Sequence, residues 1–334
     1  MENQLLDILT REGVLVNVSI RFWRGTKKLR PEDIGIKAED LSERLISLGH
    51  KRLLPKEATA SLALVESRAH SLIETNTFPF LNGLAHFLPN LKLEEITGKL
   101  RGLETEFWQA KETFLGRYGA LRASASVEWR TMAQKLVSDP DLLLANIEAS
   151  FPSVKQMERF FGFDVRLFQI AVPDRLGLDT VTVGDQQAVM LARQQAAQAA
   201  GDKIREDVQT FIADCVSTLR EQTAQLADEM LGSIKESETG VHQKTLNRLV
   251  RFIEQFKQMN FVNDTEMEER LEGVRSELLS RTAEEYRDSA SSRARLVNGL
   301  SRLRDHARAL ANTDNIQVVN RFGELGRRKF HLAA

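Results

Sequence analysis

Proline is absent from the last 161 residues of this 334-residue chain (174–334), because all seven prolines lie at or before Pro173. A proline inside a helix removes a backbone donor and costs about 3 kcal/mol, so helices tend to stop where prolines occur. The second half of the chain also repeats its apolar residues at spacings near those of a helix. It is therefore predicted to form long, uninterrupted helices.

Cysteine and long apolar runs are almost missing as well. The single cysteine, Cys215, excludes a disulfide within the chain. Cys215 lies on the same predicted helix face as Val208, Phe211 and Leu219. This position predicts a buried thiol rather than a nucleophile. No segment approaches the roughly 18 apolar residues of a membrane helix, and the first residues lack the features of a secretory signal. We therefore expect a cytoplasmic protein with no membrane association.

The residues that are present indicate a mainly α protein with a few strands. In residues 14–23 every second side chain is apolar (Val14, Val16, Val18, Ile20 and Phe22), which is the period of a strand with one face on a core. Residues 163–172 form a second extended segment and residues 316–322 a weaker third one. Because a lone strand cannot satisfy its own backbone, we expect these three segments to meet in one small sheet near the chain ends.

Helices are predicted for most of the remaining chain. We expect them at about 55–74, from residue 90 to about 137, at about 185–237, around Leu246–Phe256, and from Thr265 to about Leu310. Thr265 and Glu268 have the spacing of a capping box at the start of the last helix. Core positions mix spacings of three and four residues without clean heptads, so an elongated antiparallel bundle is favoured over a two-stranded coiled-coil arm.

The predicted domains follow this division of the chain. Residues 1–173 are expected to form a mixed helical domain that carries the strands, and residues 174–312 a long-helix bundle or coiled-coil arm. Residues 313–334 are expected to form a basic tail.

Charge of one sign is not in excess over the whole chain, since 46 lysines and arginines face 47 acidic residues. The imbalance is local: residues 264–290 hold nine acids and four arginines (net −5), whereas residues 291–334 hold nine bases and three acids (net +6). Such bases could neutralise phosphates, or they could form a solvated helix surface. The candidate contacts to a partner or to phosphate are Lys27, Lys28, Arg30, Arg293, Arg295, Arg302, Arg304, Arg308, Arg327, Arg328 and Lys329.

No residue pattern indicates catalysis. The six histidines have no histidine or cysteine at ligand spacing, so no metal site is expected. Gly98-Lys99 lacks the rest of a phosphate-binding loop, no serine lies in a nucleophile elbow, and no cofactor is implied.

Aromatic residues are dense in the predicted helix after residue 90 and just before Pro173. They are interpreted as core, and any that are exposed would indicate a surface that binds a partner. They comprise Phe107, Trp108, Phe114, Tyr118 and Trp129, followed by Phe160, Phe161, Phe163 and Phe168.

Several segments of the chain, up to about Asp264, resemble a bacterial and phage family of unknown function, the domain of unknown function 3150 type. The resemblance rests on residues 24–33 (RGTKKLRPED), 48–55 (LGHKRLLP), 80–83, 114–118 and 252–264. It implies an association with MoxR-like or cobalt-chelatase-like AAA+ ATPases and von Willebrand factor A proteins. No functional residue is carried over from the family.

Three hypotheses follow from these patterns. The first is a non-enzymatic helical adaptor or scaffold for such an AAA+ ATPase and its von Willebrand factor A protein, in a phage or mobile-element context. The second is a nucleic-acid-binding protein that uses the basic C-terminal helix and tail. The third is a self-assembling structural protein whose helices pair between chains as a homo-oligomer.

Overall fold

A computed structural model describes residues 2–34, 36, 46–81, 83–137, 139–169, 186–236 and 240–311. Within these residues the fold is mainly α, as the sequence predicts. The helices are α1 (Glu2–Glu12), α2 (Ala60–Asn76), α3 (Asn90–Leu136), α4 (Pro140–Ser150), α5 (Val154–Met157), α6 (Gln186–Glu236), α7 (Gln243–Met259), α8 (Thr265–Leu278), α9 (Ala283–Asp288) and α10 (Ala290–Ala311). The strands are β1 (Gly13–Arg21), β2 (Thr26–Lys28), β3 (His50–Arg52), β4 (Phe78–Phe80), β5 (Ala85–Pro89) and β6 (Gly162–Phe168).

Four strands form a small sheet in the order β4-β5-β1-β6. β1 pairs antiparallel with β5, from Gly13 opposite Pro89 to Val16 opposite His86. The first two predicted strands, β1 and β6, are thus confirmed as neighbours in one sheet. The third predicted segment, 316–322, lies outside the described residues.

Strands β4 and β5 were not predicted from the sequence. β4 has only three residues and contains Pro79, which sequence rules assign to a break, yet it pairs antiparallel with β5 through Phe78 and Phe80. Proline has no backbone N–H to donate. An edge strand tolerates it because the N–H groups on its outer side form no hydrogen bonds to a neighbouring strand.

The prediction of one continuous helix from residue 265 to about 310 is wrong. Three helices replace it, because capping groups interrupt the backbone ladder at Thr282. The Thr282 side chain accepts from the Glu285 N–H, and the Glu285 carboxylate accepts from the Thr282 N–H, which starts α9 anew. The predicted Thr265 cap is also wrong: the side chain of Asp264 accepts from the Met267 N–H, and Thr265 is the first helical residue.

The chain divides into two compact units, and their boundaries do not follow the predicted domain boundary at residue 173. One unit, here the long-helix unit, combines Met1–Val16, Asn76–Glu94 and the described residues from Leu167 onward. The other, here the aromatic unit, combines Asn17–Thr75 and Glu95–Arg166. The early segments join the long-helix unit because their apolar side chains belong to its core, where Phe80 packs on Phe211 with ring centroids 4.8 Å apart.

The core of the long-helix unit contains the apolar stripes predicted for α6 and α7. Cys215 is buried in it, as predicted. Helices α6 and α10 run antiparallel, because Arg220 on α6 meets Leu310 while Asp228, two turns later, meets Arg304 and Arg308.

The core of the aromatic unit is built around α3. The Trp23 ring packs on Phe114 and Tyr118, with ring centroids 6.2 and 5.8 Å away. The Tyr118 hydroxyl donates to the carbonyl oxygen of Pro152 at 2.8 Å, which joins the segment after α4 to α3. All three rings are buried, as the sequence predicts for Phe114 and Tyr118 but not for Trp23.

Candidate basic binding surfaces

The first basic segment predicted from the sequence lies in a two-stranded antiparallel sheet of the aromatic unit. β2 pairs with β3 in the register Thr26 opposite Arg52, Lys27 opposite Lys51 and Lys28 opposite His50. We call Thr26–Arg30 together with His50–Arg52 the basic ribbon. It brings two segments rich in basic residues side by side. Its exposed basic side chains are Lys27, Lys28, Arg30, His50 and Arg52.

A buried ion pair holds the basic ribbon in place. The Lys51 ammonium lies 2.7 Å from a carboxylate oxygen of Asp33, and the two side chains are only 6% and 3% exposed. The same oxygen accepts from the backbone N–H of Arg30 at 2.8 Å. A buried charge is tolerated only when it is paired and hydrogen-bonded, so this contact fixes the turn after β2 against β3.

Two glycines allow the backbone to enter and leave the basic ribbon. Gly25 and Gly49 have φ values of 63° and 73°, a region that disfavours side chains with a Cβ. Their carbonyl oxygens accept from the N–H groups of Leu53 and Leu29, respectively. The sequence did not predict β3 or the pairing of Lys51 with Asp33, because a sequence pattern does not indicate which residues distant along the chain will meet.

The second basic segment lies on α10 of the long-helix unit, and part of it is engaged within that unit. Both Arg304 and Arg308 form ion pairs with Asp228 on α6. Arg304 also pairs with Asp305, its neighbour on α10, at 2.7 Å. Two predicted phosphate contacts are therefore partly neutralised by carboxylates of the same unit.

The remaining predicted contacts on α10 divide into two groups. Arg293 donates to the carbonyl oxygen of Arg287 at 3.3 Å and is only partly exposed. Arg295 and Arg302 are exposed and line a groove of about 670 Å³ between α8 and α10. Glu269 and Glu277 line the same groove, so its charge is mixed. Arg327, Arg328 and Lys329 lie outside the described residues.

The groups that could carry chemistry are few in the described part of the chain. Burial raises the pKa of the Cys215 thiol well above its ordinary value, which suppresses the reactive thiolate. Within the described ranges, no three His, Cys, Asp or Glu side chains are placed to hold a metal ion. Nor does any helix within those ranges combine the length and apolar character needed to cross a membrane.

The aromatic residues are not all core. Phe161 and Phe163 are buried with Phe107, whose ring lies 6.4 and 5.7 Å from theirs. By contrast, Trp108 is 36% exposed and Phe160 45% exposed. Trp129 is half-buried, and Phe168 is exposed.

Residues 10–194 match the protein family described as "Protein of unknown function (DUF3150)". Since the match covers more than half of the chain, the chain belongs to this family. The matched region includes the whole basic ribbon but ends before the basic helix α10, and short of the position near Asp264 to which the resemblance extends. No curated protein and no solved structure matches the chain.

Proposed function

We propose that this member of the family is a non-enzymatic helical adaptor that binds an acidic surface of a protein partner through the basic ribbon. The resemblance described above implies that the partner is a MoxR-like or cobalt-chelatase-like AAA+ ATPase or its von Willebrand factor A protein. That resemblance also implies a phage or mobile-element context, and the single cysteine supports a complex in the reducing cytoplasm.

One observation carries the proposal: the basic ribbon presents Lys27, Lys28 and Arg30 to solvent on a backbone held by a buried ion pair. The carboxylate of Asp33 is already occupied by Lys51 and by the Arg30 backbone N–H. This carboxylate is also buried. A fixed cluster of exposed cations attracts an acidic surface and orients it during association.

The second candidate is a protein that binds nucleic acid through α10 and the chain that follows it. Its support is the exposure of Arg295 and Arg302, whose contacts to phosphates would depend strongly on salt. It is the weaker candidate because Arg304 and Arg308 are paired with Asp228, and because acidic residues line the groove beside the two exposed arginines.

The proposal is tested with the purified full-length protein and the AAA+ ATPase and von Willebrand factor A protein of its own host. The charge-reversal variant Lys27→Glu/Lys28→Glu/Arg30→Glu should weaken binding about tenfold or more, as expected for the loss of complementary charge. The matched control is Arg101→Glu/Arg130→Glu/Lys155→Glu, which reverses three exposed cations elsewhere in the aromatic unit and should bind like the wild type.

The outcomes separate the two candidates. Equal binding by wild type and ribbon variant would remove the ribbon from the interface, and no binding of either partner to the wild type would exclude this partner class. Enrichment of nucleic acid that is lost at high salt, and lost again in the variant Arg295→Glu/Arg302→Glu, would favour the second candidate.

A further inference from the structure

The core-facing stripe of α3 continues beyond the part of the helix that is covered. Phe107, Phe114, Tyr118 and Ala125 repeat at spacings of seven, four and seven residues, and all four are buried. The next positions of the same stripe are Trp129, Met132 and Leu136, since seven residues correspond to almost two full turns.

Burial along this stripe falls off toward the C-terminal end of α3. Trp129 is half-buried, whereas Met132 is 47% exposed and Leu136 is 55% exposed. Ala133 is fully buried, so the helix is covered on that side, and Met132 and Leu136 form an exposed apolar edge beside it. Single exposed apolar residues are ordinary, but these two lie on adjacent turns of one helix face and extend a row that is buried elsewhere.

The basic ribbon contacts α3 one turn before this surface. The Trp129 indole N–H, three residues before Met132, donates to the carbonyl oxygen of Arg52 at 3.1 Å. Trp23, which precedes the ribbon, packs on Phe114 and Tyr118 earlier on the same helix.

The contact between Trp129 and Arg52 limits how far the cations lie from Met132 and Leu136. Arg52 is opposite Thr26, and Lys28 and His50 lie two residues farther along the ribbon, about 7 Å away. Leu136 lies seven residues beyond Trp129, about 10 Å along the helix. Both groups of side chains therefore start within about 10 Å of this contact, a separation that one bound helix of about 18 residues can span.

We propose that this composite surface, the basic ribbon together with Met132 and Leu136, binds an acidic amphipathic helix of the partner protein. This inference rests on the proposed function and names the kind of segment that the basic ribbon recognises. The apolar face of the partner helix covers Met132 and Leu136, while its acidic flank faces Lys27, Lys28 and Arg30. Helices that dock on a helix face use apolar anchors spaced three, four or seven residues apart, which is the spacing the α3 stripe offers.

Charge complementarity and the apolar row together select this occupant. A nucleic-acid backbone would engage the cations but would leave the Met132 and Leu136 side chains without apolar partners. A partner segment that carries both acids and an apolar face satisfies both halves of the surface at once.

The test uses a fluorescein-labelled synthetic peptide of about 18 residues that forms an acidic amphipathic helix, with leucines at helical spacing and glutamates on the flanks. A peptide of the same composition in scrambled order is its control. Fluorescence anisotropy measures binding to the full-length protein. Binding should be about tenfold weaker for Met132→Gln/Leu136→Gln and for the ribbon charge-reversal variant.

The matched protein control is Val127→Gln/Leu64→Gln. These two side chains are 67% and 60% exposed in the same unit, but Val127 points away from the stripe by almost half a turn and Leu64 belongs to α2. The control variant should bind the peptide like the wild type. Circular dichroism of each variant verifies the native helix content.

The inference fails if the scrambled peptide binds equally well or if Met132→Gln/Leu136→Gln has no effect. It also fails if anionic lipid vesicles or duplex DNA bind with the same variant dependence while the peptide does not. A dimer of the wild type and a monomer of Met132→Gln/Leu136→Gln in light scattering would overturn the inference, because they would show that this surface binds a second copy of the chain and not a partner helix. If the host ATPase loses binding to the ribbon variant but not to Met132→Gln/Leu136→Gln, the adaptor proposal stands and only this inference is overturned.

Discussion

The two basic regions of this chain look alike in sequence but differ in their surroundings. On α10 of the long-helix unit, Arg304 and Arg308 share the carboxylate of Asp228. In the basic ribbon of the aromatic unit, the buried carboxylate of Asp33 instead takes up Lys51, and Lys27 beside it is exposed. The comparison teaches that a count of cations does not locate a binding surface, because acids supplied by other elements decide which cations remain exposed.

Each unit also contains a buried ion pair among its described residues, and the two pairs differ in how many contacts depend on the cation. In the long-helix unit, Arg220 contacts Asp264 at 2.7 Å and also donates to the carbonyl oxygen of Leu310 at 2.9 Å. In the aromatic unit, Lys51 contacts Asp33 at 2.7 Å. Both carboxylates keep a backbone N–H donor. Loss of the cation should therefore cost more in the long-helix unit, where the contact to Leu310 is lost as well.

The largest expected effect is that of Arg220→Ala. It leaves Asp264 as a buried carboxylate without its cation and removes the donor to Leu310, so the free energy of unfolding should fall by about 3–5 kcal/mol. Urea unfolding followed by circular dichroism measures the change, and Arg251→Ala, an exposed arginine on α7, is the control. A loss of less than about 1 kcal/mol would show that the pair contributes little to this unit.

A smaller loss is expected for Lys51→Met in the aromatic unit. The variant removes the contact to Asp33 without the second loss that Arg220→Ala causes at Leu310, so the destabilisation should be about 2–3 kcal/mol. The double variant Lys51→Met/Asp33→Leu should recover part of that loss, because an apolar pair removes the uncompensated charge. The comparison of the two buried pairs breaks down if Lys51→Met proves as costly as Arg220→Ala in the same urea experiment.

Removal of the paired cations on α10 should have a modest effect on stability. Arg304→Ala/Arg308→Ala loses partly exposed ion pairs to Asp228 and should cost about 0.5–1 kcal/mol, with less effect at high salt. Lys27→Ala/Lys28→Ala in the basic ribbon should change stability by less than about 0.5 kcal/mol. Thermal unfolding at two salt concentrations checks both values; a larger loss for the ribbon variant would reverse the contrast between the two regions.

The smallest expected effect depends on pH and concerns Glu148 in the aromatic unit. Hydrogen bonds from Ser126 and Arg122 hold the pKa of this carboxyl below its usual value of 4.5. The folded state thus favours the ionised form, and the stabilisation is complete above about pH 4.5 and is lost as the pH falls further. Because the side chain is 40% exposed, the contribution should be below about 1 kcal/mol.

Glu148→Gln tests this dependence. The difference in unfolding free energy between wild type and variant should be constant from about pH 5 to pH 7 and should shrink below pH 4.5. A difference that grows on acidification would contradict the assigned role of Ser126 and Arg122.

The sequence correctly predicted the features that depend on neighbours along the chain. The long helices α3 and α6, the end of α2 near Asn76 and the burial of Cys215 were all predicted from spacing and from the positions of proline. The short edge strand β4 and the break between α8 and α9 were missed. In both cases a local pattern was ambiguous, and pairing or capping by particular side chains decided the structure.

For the candidate site, the sequence located Lys27, Lys28 and Arg30 but not the arrangement that makes them a surface. That arrangement needs Asp33 to meet Lys51, eighteen residues away, and Trp129 to meet Arg52, seventy-seven residues away. In the same way, Arg308 meets Asp228 across eighty residues, which pairs this exposed cation with a carboxylate of the same unit.

Helix length and apolar periodicity were determined by the sequence itself, because they arise from backbone geometry and from side chains within two turns of one another. Which charges are neutralised, and which part of an apolar stripe is covered, was decided only by the tertiary structure. Coulombic attraction, hydrogen bonding and burial act over a few ångströms in space, whatever the separation along the chain.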